Sequence, residues 1–387
     1  MASQATPIAV FDISSSSVGG AHALVSRNSS GQNAVTILVQ ERRDSGLDDE
    51  LNIERFVEDT TKALEVVIDH VRTADVHHPE AIQILLSSPW YVAHTRTIVY
   101  NKTTVFSCTR RLVDSLIEKE VEFLLKQAST TGDAFGSNFK VVEQQITEIL
   151  VNGYPTGDAF GKKGQSLQIT LMVTLVPDVV VDRFTSVLRR SYGDRKIHVT
   201  TAAHAAYVAL RDNGGVQANC LIVDVGEEVT DIAFVKNNLF LSQHSFPIGT
   251  YELYRSLGAY TGSTSEARTL VEAYRLKKLS PGNVRLVEKA IQTFALQWQK
   301  SLHLSIEEGA QGFRIPAQWY ITADHRFETL FPALLSSDTF LQHTSASKDL
   351  QVTFIKAMSF SGTIKTMSAE DADANLTIGA LFIERLL

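Results

Sequence analysis

The chain has 387 residues and a formal net charge of −7, and at about 150 residues per domain it holds two or three compact units. Its 44% hydrophobic and 20% charged residues are the balance of a folded chain, and the acidic excess excludes the broad basic field that a phosphate backbone requires. Two cysteines are too few for a disulfide scaffold or a structural zinc site, and no apolar run approaches the ~18 residues of a membrane-spanning helix.

The start, MASQATPIAVFDI, has no basic n-region, and Asp12 breaks its apolar run, so it does not read as a secretory signal and the expected setting is the cytoplasm. Pro7 to Asp12 is a short buried strand ending at a carboxylate. Ser14 to Ser17 form a small-residue loop, and β-rich stretches follow at Ala21 to Val25 and Ala34 to Gln40. From Asn52 to Val71 apolar residues recur at helical spacing, and Ala81 to Ser87 is a buried strand closed by Pro89.

From Trp90 to Val176 short alternating strands (Thr95 to Tyr100, Lys140 to Val151, Gln165 to Val176) surround one helix, Thr109 to Gln127. Gly-rich turns at Gly132 to Gly136 and Gly153 to Gly164 punctuate this stretch, which reads as a small α+β module. A helix at Pro177 to Tyr192, a strand at Lys196 to Thr200 and an alanine-rich helix at Ala202 to Leu210 follow.

The second half opens on the strand Asn219 to Asp224, again ending at an Asp. A turn, Gly226 to Thr230, leads into strands Asp231 to Lys236 and Leu239 to Pro247. Helices are expected at Tyr251 to Gly258, Ser265 to Lys277, Gly282 to Glu308 and Glu328 to Leu335, with strands at Trp319 to Thr322 and Gln351 to Phe354. The chain closes with a helix from Ala374 to Leu387.

The informative feature is the repeat: apolar strand, terminal Asp, small-residue turn, returning strand. Two such turns facing each other across a cleft present opposed N–H groups, which cradle phosphate oxygens, and two carboxylates that together hold a hydrated Mg²⁺. Either turn alone reads as an ordinary β-hairpin.

The run Asp224 to Ala233 resembles the second phosphate motif of the actin, Hsp70 and sugar-kinase superfamily, and Ile8 to Val18 resembles its first. Phe246 to Thr250 resembles the I-P-x-G-G turn of the bacterial branch. Within the superfamily the chain is most similar to the cell-division protein FtsA and the type IV pilus protein PilM. Both carry a small insert, the SHS2 or 1C domain, where Trp90 to Val176 lies. The resemblance implies an α/β, two-lobed actin-like ATPase fold with an SHS2-like α+β insert. Lobe one is then 1–87 with 177–217 and 373–387, the insert 88–176, and lobe two 218–372.

The resemblance also implies ATP with Mg²⁺ as cofactor. Asp12 and Asp224 are the metal-binding carboxylates, Ser14, Ser15, Ser16, Gly226 and Thr230 the phosphate donors, and Glu266 the ribose ligand. Several departures weaken that site. Ser14 stands where the family has Gly, narrowing backbone approach to phosphate. Glu227 and Glu228 replace two glycines and place carboxylates beside a triphosphate. Ala323-Asp324 replaces the Gly-Gly of the adenosine motif, and Arg268-Thr269 lacks the family's Lys. Ala203-His204-Ala205 offers no group to orient an attacking water. Weak nucleotide binding, no catalytic residue and little hydrolysis are expected.

Other candidates read as structural. His77-His78 is a solvated turn, His198 and His204 are packing residues, and Lys277-Lys278 complement a helix dipole. Trp90 fills a seam between modules, and Cys108 and Cys220 are buried small apolar residues. The expected function is an FtsA-like scaffold for cell division, peripheral to the inner face of the cytoplasmic membrane. Its expected partners are proteins of a division or pilus machine, with self-association and with membrane contact made through a partner. The alternatives are a PilM-like component of type IV pilus assembly, and an active ATPase or kinase of the superfamily.

Overall fold

The computed structural model describes residues 5–27, 33–45, 53–131, 138–157, 159–213, 216–310, 314–337, 350–360, 362–366 and 372–385. The turn expected at 132–136 lies outside them. In chain order the first elements are β1 (Thr6–Ile13), β2 (Ser17–Arg27), β3 (Asn33–Asp44), α1 (Ile53–Ala74) and β4 (Ala81–Leu86). Then come β5 (Val92–Ser107), α2 (Arg110–Thr131), β6 (Phe139–Val151), β7 (Tyr154–Pro155), β8 (Lys163–Pro177), α3 (Asp178–Tyr192), β9 (Lys196–Thr201) and α4 (Ala202–Asp212). The second half holds β10 (Cys220–Val225), β11 (Thr230–Lys236), β12 (Leu239–Phe246), α5 (Tyr251–Thr261), α6 (Thr264–Arg275), α7 (Pro281–Ala310) and β13 (Gln318–Ala323). It ends with α8 (Leu330–Leu335), β14 (Gln351–Phe354), β15 (Ile364–Thr366) and α9 (Ala374–Glu384).

A six-stranded sheet, ordered β15-β3-β2-β1-β4-β9, forms the first lobe. Its central strand β1 runs antiparallel to β2 and parallel to β4. Alternation along β1 divides its side chains between two cores. Ala9 and Phe11 pack with Leu64 and Val67 of α1 and Phe184 of α3, while Ile8 and Val10 pack with α4 and α9. A strand covered on both faces reads as a continuous apolar run, which is why β1 was legible.

A five-stranded sheet, ordered β12-β11-β10-β13-β14, forms the second lobe and repeats the arrangement. Here β10 runs antiparallel to β11 and parallel to β13, as β1 does to β2 and β4. The long helix α7 buries Phe294, Trp298 and Leu302 against it. The third sheet, β5-β8-β6-β7, carries α2 on one face, where Val113, Ile117 and Leu124 meet Leu167, Ile169 and Leu171 of β8.

Several boundaries differ from expectation, among them β5, which runs Val92–Ser107 where Thr95 to Tyr100 was expected, and Pro177, which ends β8 where a helix start was expected. Asp324 caps a short 3₁₀ turn, His325–Phe327, so the following helix starts at Leu330 and not at Glu328. The last helix stops at Glu384, and 386–387 lie outside the described residues. The three-residue β15, too short to show a period, pairs with β3 and returns the end of the expected second lobe to the first sheet. No helix among the described residues is long and apolar enough to cross a membrane.

Candidate functional site

The two Asp-ended strands face one cleft of about 580 Å³, lined by Asp12, Ser14, Asp224 and Gly226 among others. On the first side, β1 turns into β2 through a closed serine loop. The Ser14 N–H and hydroxyl both donate to the Ser17 carbonyl at 3.0 Å, and the Ser17 N–H donates to Ser14 Oγ at 3.2 Å. Trp90 supports this loop from beneath. Its indole N–H donates to the Ser14 carbonyl at 2.9 Å, its ring stacks on Phe56 at 4.5 Å, and it meets Phe184 edge-on. The Trp thus belongs to the core of the first lobe and does not fill the expected seam between modules.

Asp12 is fully buried and bound to a cation that the sequence did not reveal. Arg42 on β3 donates to Asp12 Oδ2 at 2.7 Å, to Ser17 Oγ at 2.9 Å and to Asp373 Oδ2 at 2.6 Å. The register explains the reach. Asp12 lies opposite Gly19 on β2, and Gly19 lies opposite Arg42 on β3. The middle position lacks a side chain, and a Cβ there would stand 2.6 Å from the Arg42 guanidinium. Asn375 donates to the same Asp12 oxygen at 3.2 Å, which leaves Oδ1 buried without a hydrogen-bond partner. Burial pushes the Asp12 carboxyl up, against the charge of Arg42. Burial acts the same way on Asp373. Arg42 and the N–H groups of Leu376 and Asn375, which Asp373 caps, outweigh it and hold that carboxyl down.

On the second side, the Gly226 N–H donates to the Val229 carbonyl at 3.0 Å. The Thr250 and Tyr251 N–H groups, at the start of α5, grip the Gly226 and Glu227 carbonyls at 3.0 and 2.8 Å. Gly249 permits this approach, since a Cβ there would meet both carbonyls within 2.4 Å. Asp224 Oδ1 accepts from the Thr322 hydroxyl at 2.7 Å. Burial, then the charges of Asp231, Asp12 and Glu227, push its carboxyl up to about 7. The two neighbouring glutamates diverge. Glu228 pairs with Arg255 at 2.5 Å, whereas Glu227 crosses the cleft to accept from Ser14 Oγ at 3.4 Å and Ser15 Oγ at 3.3 Å. Ser16 also bonds to Glu227.

Ser15 and Ser16 are buried and do not line the cleft, and two further expected ligands are placed elsewhere. The Thr230 hydroxyl is buried within the second lobe, donating to the Ile248 carbonyl at 2.7 Å and accepting from Trp298 Nε1 at 3.0 Å. It is committed to packing and does not line the cleft. Glu266 lies exposed in the first turn of α6 and does not line it either. At the Ala323-Asp324 end of the cleft, Arg326 binds both oxygens of Asp324, and that pairing overcomes burial to hold the Asp324 carboxyl down.

A hydrated divalent cation fits this donor set through Asp12 Oδ1, the buried orphan atom, and Asp224. Its remaining ligands would be water, because no group of three His, Cys, Asp or Glu suited to a metal occurs among the described residues. Carboxylates outnumber the two cations, Arg42 and Lys356, among the described lining residues, so an unaccompanied polyphosphate meets a repulsive wall.

Two polar clusters that do not line the cleft escaped the sequence reading. His204 is not a mere packing residue, for its Nδ1 lies 3.1 Å from Glu143 Oε1 on β6. Asp231 on β11 accepts from Ser88, Tyr91 and Ser245 at 2.8, 2.9 and 2.5 Å. Each joins segments far apart in sequence, so no local spacing marks them.

No family model and no curated protein sequence matches the chain. Solved structures do. A chain of the PilM–PilN type IV pilus biogenesis complex is 14% identical, with 98% of this chain and 96% of that one covered at a TM-score of 0.63. The ethanolamine utilization protein EutJ from Carboxydothermus hydrogenoformans is 12% identical, with 97% and 88% covered at 0.43. A Bacteroides thetaiotaomicron protein with an actin-like ATPase fold is 11% identical, with 93% of each chain covered at 0.41. The likeness to the pilus-complex chain shows the fold, a two-lobed α/β arrangement of the actin-like kind that extends over nearly the whole length of both chains.

Proposed function

We propose that the chain is an actin-fold scaffold of the PilM kind, which binds Mg-ATP weakly and acts by holding protein partners of a pilus machine. The insert formed by β5 to β8 and α2 is read as the SHS2-like partner-binding module, and membrane contact is made through the partner. The observation that carries the reading is the state of the two turns. Arg42 lies on Asp12 and Glu227 lies on the serine loop, so the protein's own charges occupy the groups that phosphoryl transfer needs free. The division role of an FtsA-like protein rests on sequence resemblance alone.

Steady-state phosphate release from Mg-ATP tests this. A scaffold releases phosphate far more slowly than the roughly 1–100 per second of kinases. Turnover of a few per second would establish an enzyme and end the scaffold reading.

A further inference from the structure

We propose that Glu227 is an internal stand-in for phosphate: its carboxylate occupies the serine loop and sets how tightly the cleft accepts a polyphosphate. The proposal deepens the reading of the cleft as a weak nucleotide site.

Three observations converge on Glu227. Its Oε2 accepts from Ser14 and Ser15, more than 200 residues away in sequence, through hydroxyl donors of the kind that bind phosphate oxygens. Glu228, one position on, turns instead to Arg255, so inward placement is particular to Glu227. The Glu227 backbone is fixed as well. Its carbonyl is held by the Tyr251 N–H, the Gly226 carbonyl by the Thr250 N–H, and Gly249 leaves the turn no room to retreat. A phosphate can therefore reach the loop only if the Glu227 side chain rotates away.

The charge order supports the same assignment. A metal–polyphosphate would bring anionic oxygen to the serine loop and a cation to Asp12. Glu227 and Arg42 supply that order from within the chain; burial raises the Glu227 carboxyl, and the Arg42 charge offsets that in part. Glu227 also links the two lobes without a ligand, and Arg268 of α6 meets Asp44 of β3 at 2.7 Å across the same gap.

The experiment is calorimetric titration of the full chain with Mg-ATP and, separately, with Mg-tripolyphosphate, which isolates phosphate contacts from those of the base. Glu227→Ala is expected to lower both dissociation constants at least tenfold, and Glu227→Gln, which keeps shape but loses charge, to lower them by less. Glu228→Gln is expected to stay within twofold of the parent. Amide exchange over Ser14 to Ser17 should quicken in ligand-free Glu227→Ala. If Glu227→Ala does not melt as a folded protein, Glu227→Gln carries the test. Unchanged or weaker binding in the folded variants overturns the proposal, and so does undetectable binding in both parent and variants. Unchanged or weaker binding in the variants leaves the proposed function standing, whereas undetectable binding in the parent also ends its weak Mg-ATP binding; the scaffold role itself is judged by turnover.

Discussion

Glu143 on β6 and His204 in the first turn of α4 lie 3.1 Å apart and tie the four-stranded unit to the first lobe. The same carboxylate accepts from the Thr201 N–H at 2.9 Å, from Thr174 Oγ1 at 3.0 Å and from the Thr200 hydroxyl. Burial alone would raise its titration. His204, the Thr200 hydroxyl and the Thr201 N–H outweigh burial and hold it at about 2, against 4.5 for a free glutamate. Ionisation of Glu143 thus favours the folded state fully above pH 4.5, and this contribution is lost as pH falls toward 2. Its size is on the order of 3 kcal/mol. Denaturant unfolding at pH 7 and pH 3 should show a steeper loss in the parent than in Glu143→Gln.

Excision of the insert should depend sharply on where the cuts fall. Trp90, Tyr91 and Val176 belong to the core of the first lobe, so removing 88–176 takes away a buried aromatic stack along with the module. Val92 pairs with Leu175, so the chain enters and leaves the module at neighbouring points. Replacing 93–174 with a short Gly-rich linker should leave a protein that unfolds cooperatively. Removing 88–176 should cost a further 3–5 kcal/mol or so, the usual effect of losing a buried Trp. Equal melting of the two deletions would show that Trp90 belongs to the insert.

The contrast between Asp12 and Arg42 shows what sequence could and could not convey. Asp12 and Asp224 end continuous apolar runs buried on both faces, and such runs are legible without a partner. The repeat of strand, Asp and turn therefore placed the cleft. Arg42 sits in the run Glu41-Arg42-Arg43-Asp44, which by composition is a solvated strand end. Its function in the cleft depends on a register running Asp12, Gly19, Arg42 across three strands, and that is a property of the assembled sheet. Thr230 misled for the opposite reason. It has the right residue type beside the right turn, but pleat direction sends its hydroxyl to Trp298 and not to the cleft.

Arg42→Ala should expose the role of that cation. It would leave Asp12, fully buried, and Asp373 facing each other uncompensated. Arg42 is 31% exposed, so the loss should be about 2–3 kcal/mol, below that of a fully buried pair. Millimolar Mg²⁺ should restore part of the loss in Arg42→Ala and have a smaller effect on the parent, where Arg42 already pairs with Asp12 and Asp373. Thermal unfolding with and without Mg²⁺ measures both. An equal Mg²⁺ response in the two proteins would remove Arg42 from the cation's place.

Asp224 should couple pH to the occupancy of the cleft. Its carboxyl titrates at about 7 when folded and near 3.8 when free. Below 3.8 both states are protonated and nothing is lost. Between 3.8 and 7 the folded state must hold a proton that the unfolded chain has released, and above 7 the full cost of a buried charge remains. Asp224→Asn keeps an acceptor for the Thr322 hydroxyl and removes that cost, so it should exceed the parent in stability at pH 8 by on the order of 4 kcal/mol. The difference should vanish near pH 4. A bound cation opposes the same charge, so Mg-ATP should protect the parent most above pH 7. At 100 times its dissociation constant a ligand adds about 2.7 kcal/mol. Millimolar Mg-ATP should therefore raise the parent's melting temperature by a few degrees at pH 8 and less at pH 6. Asp224→Ala, which has no carboxylate to offer the cation, should show no rise at either pH. A rise that survives in Asp224→Ala would place the nucleotide away from the two Asp-ended strands.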